Sequence, residues 1–300
     1  MFGFLNIYKP QGKTSHDVVA ILRRVTKIKQ IGHTGTLDPF AEGVLPICIG
    51  KSTRLIEYLD DEKAYIGTVQ LGKSTTTYDI EGEGVNISNK KVTLKDIEEA
   101  LPKFRGEIQQ LPPIYSAIKV KGKKLYEYAR SGEEVTIEPR RVNIYKLEVV
   151  EFDEENQLLK LLIECSKGTY IRSIAHDLGE ALGCYGHLIN LVRIKAGKFE
   201  VGSSIKLDEI VNIDDVEKSL INPIEYLNYP KYELNDSEKE KVSHGMSINV
   251  EKADGIVVFL CQNKLVAVAN IENKKAKVLK VFIWFLDIPC AYCPLPINML

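Results

Sequence analysis

The segment from Gly32 to Pro46, GHTGTLDPFAEGVLP, restricts the fold of this chain more than any other stretch. It contains three glycines and two prolines within fifteen residues. Glycine permits backbone angles that other residues avoid, whereas proline fixes its own φ and narrows the choices of the preceding residue. We therefore expect a rigid, irregular loop that leads into a buried strand at residues 44–49, and such loops commonly carry chemistry.

Asp38 is the candidate reactive residue of this loop, because it precedes Pro39 between the apolar residues Leu37 and Phe40. A carboxylate held beside apolar groups can act as a nucleophile or a base. The alternative is an Asx-turn residue before proline, and spacing alone favours that alternative. Glycoside hydrolysis normally requires a second carboxylate, for which Glu42 is the nearby candidate. If Asp38 acts alone, the leaving group must already be a stable anion, such as a pyrimidine base.

Strands and helices alternate along the chain without a repeating unit. Alternating apolar residues predict strands, and apolar residues three and four apart predict helices. The predicted strands are 4–8, 44–49, 64–71, 114–120, 141–152 and 158–165; the predicted helices are 51–58, 93–101, 124–131, 170–182 and one that begins at Thr14 or Ser15, with Ser15 as its N-cap. This mixture favours an α+β fold with a mixed or antiparallel sheet over a doubly wound fold.

The best domain boundary is the stretch Asn228-Tyr229-Pro230, after one or two helices expected between residues 207 and 227. Beyond it, short apolar runs at 248–250, 255–261, 264–270 and 276–282 predict a small β-rich module. The final residues are largely apolar, but their prolines and short length argue against a membrane span. We expect them to form a packed or atypical tail.

Charge is balanced over the whole chain but not along it. Forty basic and 41 acidic side chains give a net charge of −1, which argues against a strongly basic nucleic-acid binder. Residues 101–150, however, carry ten basic and six acidic side chains, whereas residues 201–260 carry six and twelve. A polyanionic partner is therefore compatible with the first region, because electrostatic steering depends on local potential.

The first residues lack the basic leader of a signal peptide, and the six cysteines show neither a disulfide framework nor paired metal-ligand spacing. We therefore expect a cytoplasmic protein without a zinc site.

Several separated motifs resemble the bacterial TruB family of tRNA pseudouridine synthases. They occur in the family's order over about the first 195 residues: Lys9-Pro10 with Gly12, Thr14 and Ser15; Gly32 to Pro46; Tyr65 with Leu71-Gly72; Thr75, Thr77, Asp79 and Gly82; Pro112-Pro113 to Ala117 with Lys119; Tyr126 with Ala129-Arg130; Ser166 to Ile174; and Gly186-His187 with Leu191. The resemblance implies an α+β catalytic domain at 1–229 and a PUA-like RNA-binding domain at 230–283, with 284–300 as an atypical apolar tail.

The resemblance also implies an activity, the isomerisation of the T-loop uridine at position 55 of tRNA to pseudouridine. Such an isomerase flips the uridine out of the stack, detaches uracil from ribose, turns it and rejoins it through carbon. No cofactor or metal is implied. The family nucleophile corresponds to Asp38, which attacks either the anomeric carbon of ribose or the pyrimidine ring. We expect a monomer that binds the T-arm of tRNA and, through its PUA-like domain, the acceptor-stem side.

Four further residues match family positions around the target base. Arg172 matches the arginine that holds the nucleophile ionised. Tyr65 matches the tyrosine that stacks on the base, and Tyr170 and Leu191 match positions that line the uracil pocket. Each has an ordinary alternative, as a surface arginine, a sheet-packing tyrosine or plain core. Either tyrosine could also move a proton.

Two loop residues and a basic stretch complete the implied RNA interface. His33 matches the histidine that enters the T-loop and props out the flipped nucleotide, and Lys9 matches a lysine that either supports the loop or approaches phosphate. The alternative for His33 is an incidental loop histidine, and the alternative for the basic stretch is a solvated face of a hairpin. The basic residues expected to face the RNA backbone are Lys119, Lys121, Lys123, Lys124, Arg130, Arg140 and Arg141.

Two other functions are weighed against the isomerase. The first is a noncatalytic RNA-binding or tRNA-folding protein, and the second is a sugar hydrolase that uses Asp38 and Glu42. The presence of both Asp38 and Arg172 favours the isomerase over the folding protein. Nothing else in the loop resembles a hydrolase site.

Overall fold

A computed structural model describes residues 1–282 of the chain, which divide into two compact units. The first unit contains Met1 and residues 3–50 and 60–221; the second contains Phe2, residues 51–59 and the chain from Asn222 onward. The division after Ile221 precedes the stretch at which the sequence predicts a boundary. The predicted tail at 284–300 lies outside the described residues.

The first unit is built on a ten-stranded sheet, two small hairpins and five α-helices. Its strands are β1 Gly3–Lys9, β2 Ile31–His33, β3 Glu42–Ile49, β4 Lys63–Leu71, β5 Lys73–Thr75, β6 Gly84–Ile87, β7 Gly106–Gln110, β8 Lys119–Val120, β9 Lys123–Lys124, β10 Arg140–Asp153, β11 Leu158–Cys165, β12 Gly186–Ala196, β13 Phe199–Glu200 and β14 Ile205–Lys206. Its helices are α1 Ser15–Thr26, α2 Leu94–Ala100, α3 Leu125–Ser131, α4 Ile171–Ala181 and α5 Ile213–Lys218.

The large sheet has the strand order β14-β1-β3-β12-β4-β11-β10-β7, with β2 beside β3 and β13 beside β12. Most neighbouring strands are antiparallel, but β1 pairs in parallel with β14 and β3 with β12. The predicted α+β fold with a mixed sheet is therefore confirmed. Alternate residues of β4 are buried, including Tyr65, Gly67, Val69 and Leu71, as the period of two in its sequence predicts.

Two predictions of local structure are wrong. Thr14, not Ser15, is the N-cap of α1, because its side chain forms a reciprocal capping box with Asp17. The segment predicted as a strand at 114–120 is extended only at Lys119–Val120. The carbonyls of Ile118 and Ser116 accept hydrogen bonds from the amides of Leu125 and Tyr126 at the start of α3, and not from a neighbouring strand.

Apolar packing holds helix α4 against the sheet, in a core that includes Ile174, Leu178, Leu161 and Leu188. The contact is close at Gly179, where a Cβ atom would lie 2.2 Å from the backbone nitrogen of Gly186 at the start of β12. Only glycine fits at this approach of helix to strand, so the packing fixes the position of α4 and of the residues in its first turn.

The second unit contains a five-stranded sheet, consistent with a PUA-like module. Its strands are β15 Lys231–Glu233, β16 Ile248–Asn249, β17 Gly255–Cys261, β18 Lys264–Glu272 and β19 Lys275–Val281, in the order β15-β17-β18-β19-β16, and its helix is α6 Asp236–Ser243. Residues such as Val257, Phe259 and Val266 form its own core. Within residues 1–282, no helix has the length and apolar composition needed to cross a membrane.

Candidate active site

The backbone on both sides of Asp38 is held by the first residue of α1 and by the turn that precedes this helix. The Ser15 hydroxyl accepts a hydrogen bond from the Leu37 amide at 2.8 Å and donates one to the Leu37 carbonyl at 3.1 Å. On the other side, the Gly12 amide donates to the Pro39 carbonyl at 2.8 Å. The loop between β2 and β3 therefore has a fixed path at its carboxylate, as its glycines and prolines predict.

The side chain of Lys9 bonds to the backbone of the same loop. It is fully buried, and its ammonium donates to the carbonyls of Lys13, Pro10 and Pro39 at 2.6, 3.0 and 3.3 Å. These three bonds use all the donors of a lysine. Burial lowers the pKa of Lys9 to about 8. The contacts fit the loop-supporting role of the two expected for Lys9 and leave no ammonium hydrogen for a phosphate.

Arg172 meets Asp38 side-on, as its place in the motif leads us to expect. Arg172 Nε lies 3.0 Å from Asp38 Oδ2, and Nη2 donates to Oδ1 at 3.2 Å. The guanidinium is 5% exposed, so it is not the surface arginine of the alternative interpretation. Its remaining contacts are to the carbonyls of Thr77 and Tyr115 and to a second carboxylate, Asp79, at 3.2 Å from Nη1.

Asp79 is a site residue that the sequence analysis missed. It occurs among the quoted motifs, but no role was assigned to it. The side chain is almost fully buried, and its Oδ1 accepts hydrogen bonds from the Thr77 hydroxyl and the Glu81 amide. The Thr75 hydroxyl donates to the Asp79 carbonyl at 2.7 Å. An aspartate followed by a glycine-rich turn was the available signal, and it does not distinguish a buried aspartate from a turn residue.

The charges around Asp38 oppose one another. Removal from water raises the pKa of Asp38, Arg172 lowers it and Asp79 raises it, and the net direction is upward. The side chain keeps 32% of its surface open, on a wall of the cavity described next. Arg172 is thus the group in direct contact with Asp38 that favours its ionised form, against the opposing effects of burial and Asp79.

A cavity of about 600 Å³ opens above this pair. The predicted residues Asp38, Arg172, Tyr65, Tyr170 and Leu191 all lie on its wall. Lys9 and His33 do not. Thr34, the next residue after His33, does line the cavity.

Two tyrosines and a leucine give the cavity an aromatic and apolar wall. Tyr65 on β4 and Leu191 on β12 are buried, 6% and 4% exposed, and project from neighbouring strands. Tyr170 precedes α4 and is held by the Gln110 amide group, which accepts from the Tyr170 amide at 2.8 Å and donates to its carbonyl at 3.0 Å. Burial raises the pKa of both Tyr65 and Tyr170, so both phenols keep their protons near neutral pH.

His33 lies at the end of β2 and is half-buried. Burial lowers its pKa, so the ring is neutral near pH 7. Its buried Nδ1 atom has no hydrogen-bond partner among residues 1–282. His33 thus places a neutral ring at the edge of the loop.

Comparison with known proteins decides the family. The sequence profile described as "TruB family pseudouridylate synthase (N terminal domain)" matches residues 23–171, and the profile described as "tRNA pseudouridylate synthase B C-terminal domain" matches residues 172–227. A protein named tRNA pseudouridine synthase B from Caldanaerobacter subterraneus subsp. tengcongensis is 42% identical over 93% of this chain and 99% of its own length. The chain belongs to the TruB family. It is therefore a pseudouridine synthase, an isomerase.

Other relatives and solved structures agree. The tRNA pseudouridine synthase B of Francisella philomiragia is 41% identical over 93% of this chain and 94% of its own length. The structure of a Cbf5–Nop10–Gar1 complex contains a similar chain, with a TM-score of 0.70 and 27% sequence identity. The match covers 94% of the present chain and 85% of the chain in that complex. A chain of an H/ACA RNP bound to a substrate RNA containing 2′-deoxyuridine matches with the same TM-score and coverage at 25% identity.

Among residues 1–282, no group of three or more His, Cys, Asp or Glu side chains is placed to hold a metal ion.

We predict that Ser15→Ala loosens the reactive loop. The change leaves the buried amide and carbonyl of Leu37 without partners, and an unpaired buried polar group costs about 1–3 kcal/mol. Thr14→Ala on the same turn is the matched control, because the Thr14 side chain bonds only within its capping box with Asp17. In hydrogen-exchange measurements, the Leu37 amide should exchange faster in Ser15→Ala and at the parental rate in Thr14→Ala. Unchanged protection of Leu37 in Ser15→Ala would contradict this account of the loop.

Proposed function

We propose that this enzyme converts the T-loop uridine at position 55 of tRNA to pseudouridine, with Asp38 as nucleophile. The observation that carries the proposal is the side-on contact of Asp38 with the buried Arg172 on the wall of a cavity large enough for a nucleotide. Relatives that are 42% and 41% identical over most of the chain are named tRNA pseudouridine synthase B, which supports tRNA as the substrate.

The reaction balances within the nucleotide itself. The bond between ribose C1′ and uracil N1 breaks, a bond between C1′ and C5 forms, C5 loses a hydrogen and N1 gains one. Asp38 attacks either C1′ or the pyrimidine ring, and both routes need an ionised carboxylate. Arg172 keeps that charge, and enclosure of the cavity retains the detached base until it rejoins.

The flipped base meets Tyr65, whose aromatic face replaces the stacking that is lost when the nucleotide leaves the helix. Leu191 packs against the base from the neighbouring strand, and Tyr170 closes the pocket near α4. Tyr65 or Tyr170 moves the proton between C5 and N1. His33 enters the T-loop and keeps the nucleotide flipped out.

The outer surface near the cavity provides contacts to phosphate. Arg130 lines the cavity mouth together with Tyr126, and Lys119 and Lys121 are exposed on the adjacent hairpin β8–β9. Phosphate contacts by such side chains give affinity that falls as salt rises. The unit that contains β15 to β19 binds the acceptor-stem side of the tRNA. We also propose that the enzyme acts as a monomer in the cytoplasm.

The first prediction for this function concerns Asp38→Asn, which keeps the size of the side chain and removes the nucleophile. With tRNA transcript carrying tritium at C5 of uridine, the parent protein should release label, because C5 loses its hydrogen. Asp38→Asn should release none while tRNA affinity stays within about twofold, and the exposed Asp208→Asn should behave as the parent. A transcript with cytidine at position 55 should release none.

The outcomes of that experiment separate the competing functions. Label release by Asp38→Asn would exclude Asp38 as the nucleophile, and release from the transcript without uridine 55 would exclude the T-loop site. If the folded parent binds tRNA without release, a tRNA-folding role replaces the catalytic one. Hydrolysis of a glycan would instead favour the sugar hydrolase.

The second prediction is a shift in the pH dependence of the rate. Because the pKa of Asp38 is already raised, activity should fall as the pH falls through that pKa and the carboxylate takes up a proton. Arg172→Gln removes the charge that lowers the pKa, so the acid limb should move to higher pH by about one to three units. Arg172→Lys should shift it less. A single-turnover pH–rate profile checks this, and an acid limb that stays in place would show that Arg172 does not set the ionisation of Asp38.

The third prediction identifies the residue that moves the proton. Tyr65→Phe and Tyr170→Phe keep the aromatic ring, so tRNA binding should survive, whereas the single-turnover rate should fall about 10²-fold or more in the variant that has lost the proton-transferring phenol. Tyr145→Phe, at an exposed position of β10, is the control. Full activity of both cavity variants would exclude either phenol from proton transfer.

A further inference from the structure

A buried arginine outside the implied residue set lies directly behind the cavity. Arg193 is on β12, where its register partners are Tyr65 on β4 and Gly43 on β3. It is 1% exposed and is the largest of the fully buried side chains among residues 1–282. Arg193 therefore lies beside two strands, β4, which carries Tyr65, and β3, which follows the Asp38 loop.

The guanidinium of Arg193 bonds both ends of the loop that carries Asp38. Nε donates to the carbonyl of Val44 at 2.6 Å, after Asp38 in the chain. Nη1 donates to Thr36 and Nη2 to Gly35, both at 3.2 Å and before Asp38. A planar guanidinium holds its donors at fixed angles, so these three bonds fix the two ends of the loop relative to one another.

Tyr65 is the register partner of Arg193 on the neighbouring strand, and the charge of Arg193 acts on the Tyr65 phenol. One buried residue thus bonds the loop of the proposed nucleophile and lies beside the residue on which the base is proposed to stack. The backbone leaves little freedom here, because a Cβ atom on Gly43 would lie 2.3 Å from the Arg193 carbonyl oxygen and the φ of Gly43 is +106°.

The charge of Arg193 has no carboxylate within ion-pair distance in the part of the chain that the structure describes. A buried charge without a counter-ion is costly, and an apolar side chain of similar volume would avoid that cost. Its field opposes the burial that raises the pKa of Tyr65. An arginine that only packed the core would need neither the loop carbonyls nor the phenol.

We propose that Arg193 is a positioning residue for pseudouridine formation, which fixes the Asp38 loop against Tyr65 so that the carboxylate keeps its distance from the stacked base. The inference rests on the proposed roles of Asp38 and Tyr65. It requires the fork geometry of arginine, because Arg193 donates to Val44, Thr36 and Gly35 from three separate nitrogens, whereas a lysine would offer all its donors from one nitrogen.

The test compares Arg193→Lys and Arg193→Met with the same two changes at Arg105. Arg105 donates through Nε and Nη2 to the Leu147 carbonyl at 3.1 and 2.8 Å but lies outside the cavity. Single-turnover release of tritium from C5-labelled tRNA, tRNA affinity and urea unfolding are measured for each variant at a temperature where it is folded.

We expect Arg193→Lys to lower the single-turnover rate about 10²-fold, because small misplacements of reacting groups have effects of that size. Affinity for tRNA should stay within about twofold, and Arg193→Met should lose at least as much rate. Both Arg105 variants should keep the parental rate to within about twofold.

A second readout separates fork geometry from charge. The phenol of Tyr65 is followed by its absorbance as the pH rises. For the parent and for each Arg193 variant, the titration curve of the same protein with Tyr65→Phe is subtracted, which leaves the contribution of Tyr65. The Tyr65 titration should move to higher pH in Arg193→Met, which removes the positive charge, and should stay close to the parental curve in Arg193→Lys. A purely structural role would lower stability without this difference between the two variants.

Each result bears on the inference. A parental rate in Arg193→Lys, a loss confined to tRNA affinity, or failure of both Arg193 variants to fold would overturn it. If the parent releases no label, the proposed function fails first; if the parent is active and the Arg193 variants are too, only the present inference fails.

Discussion

The contact between Asp38 and Arg172 joins residues 134 positions apart in the chain. Arg172 also contacts Asp79 and the carbonyls of Thr77 and Tyr115, so its guanidinium joins three separate segments to α4. Its donors are rigidly arranged, and a displacement of any one segment would therefore be transmitted to the others. The site can form only when α4, the loop before β3 and the segment around Asp79 have all reached their final positions.

In the proposed reaction, the same contact must meet two demands on Asp38. The proposed nucleophile has to be ionised, yet a carboxylate stabilised by a full complement of donors would react slowly. Two carboxylates share Arg172, and the charge of Asp79 opposes part of the stabilisation that Arg172 gives to Asp38. Asp79 also accepts hydrogen bonds from the Thr77 hydroxyl and the Glu81 amide, so its position does not depend on Arg172 alone. The guanidinium that contacts Asp38 is therefore shared with a second carboxylate that is fixed in place.

The sequence could predict the features that depend on local patterns. The glycines and prolines predicted the rigid loop, the period of two in β4 predicted its buried face, and the resemblance assigned roles to Asp38, Arg172, Tyr65, Tyr170 and Leu191, all of which lie on one cavity. It could not predict that charged residues such as Asp79 and Arg193 are buried, because burial of a charge depends on partners distant in the chain. It also assigned Ser15 to the helix cap, whereas its hydroxyl bonds Leu37, 22 residues later. Short polar side chains serve either purpose equally well, and only the tertiary fold decides.

Lys9 and Arg193 hold the backbone of the loop that forms part of the cavity wall. Both are buried cations that bond carbonyls of the Asp38 loop, Lys9 at Pro39 and Arg193 at Gly35, Thr36 and Val44. Because charge-assisted bonds to backbone carbonyls hold this loop, its side chains are free to face the uracil base of the proposed substrate. The two cations differ in one respect, because burial lowers the pKa of Lys9 to about 8, whereas an arginine stays charged at any pH at which proteins fold. The bonds that join both ends of the loop to β12 are therefore made by the residue whose charge does not depend on pH, so pH changes that deprotonate Lys9 leave them in place.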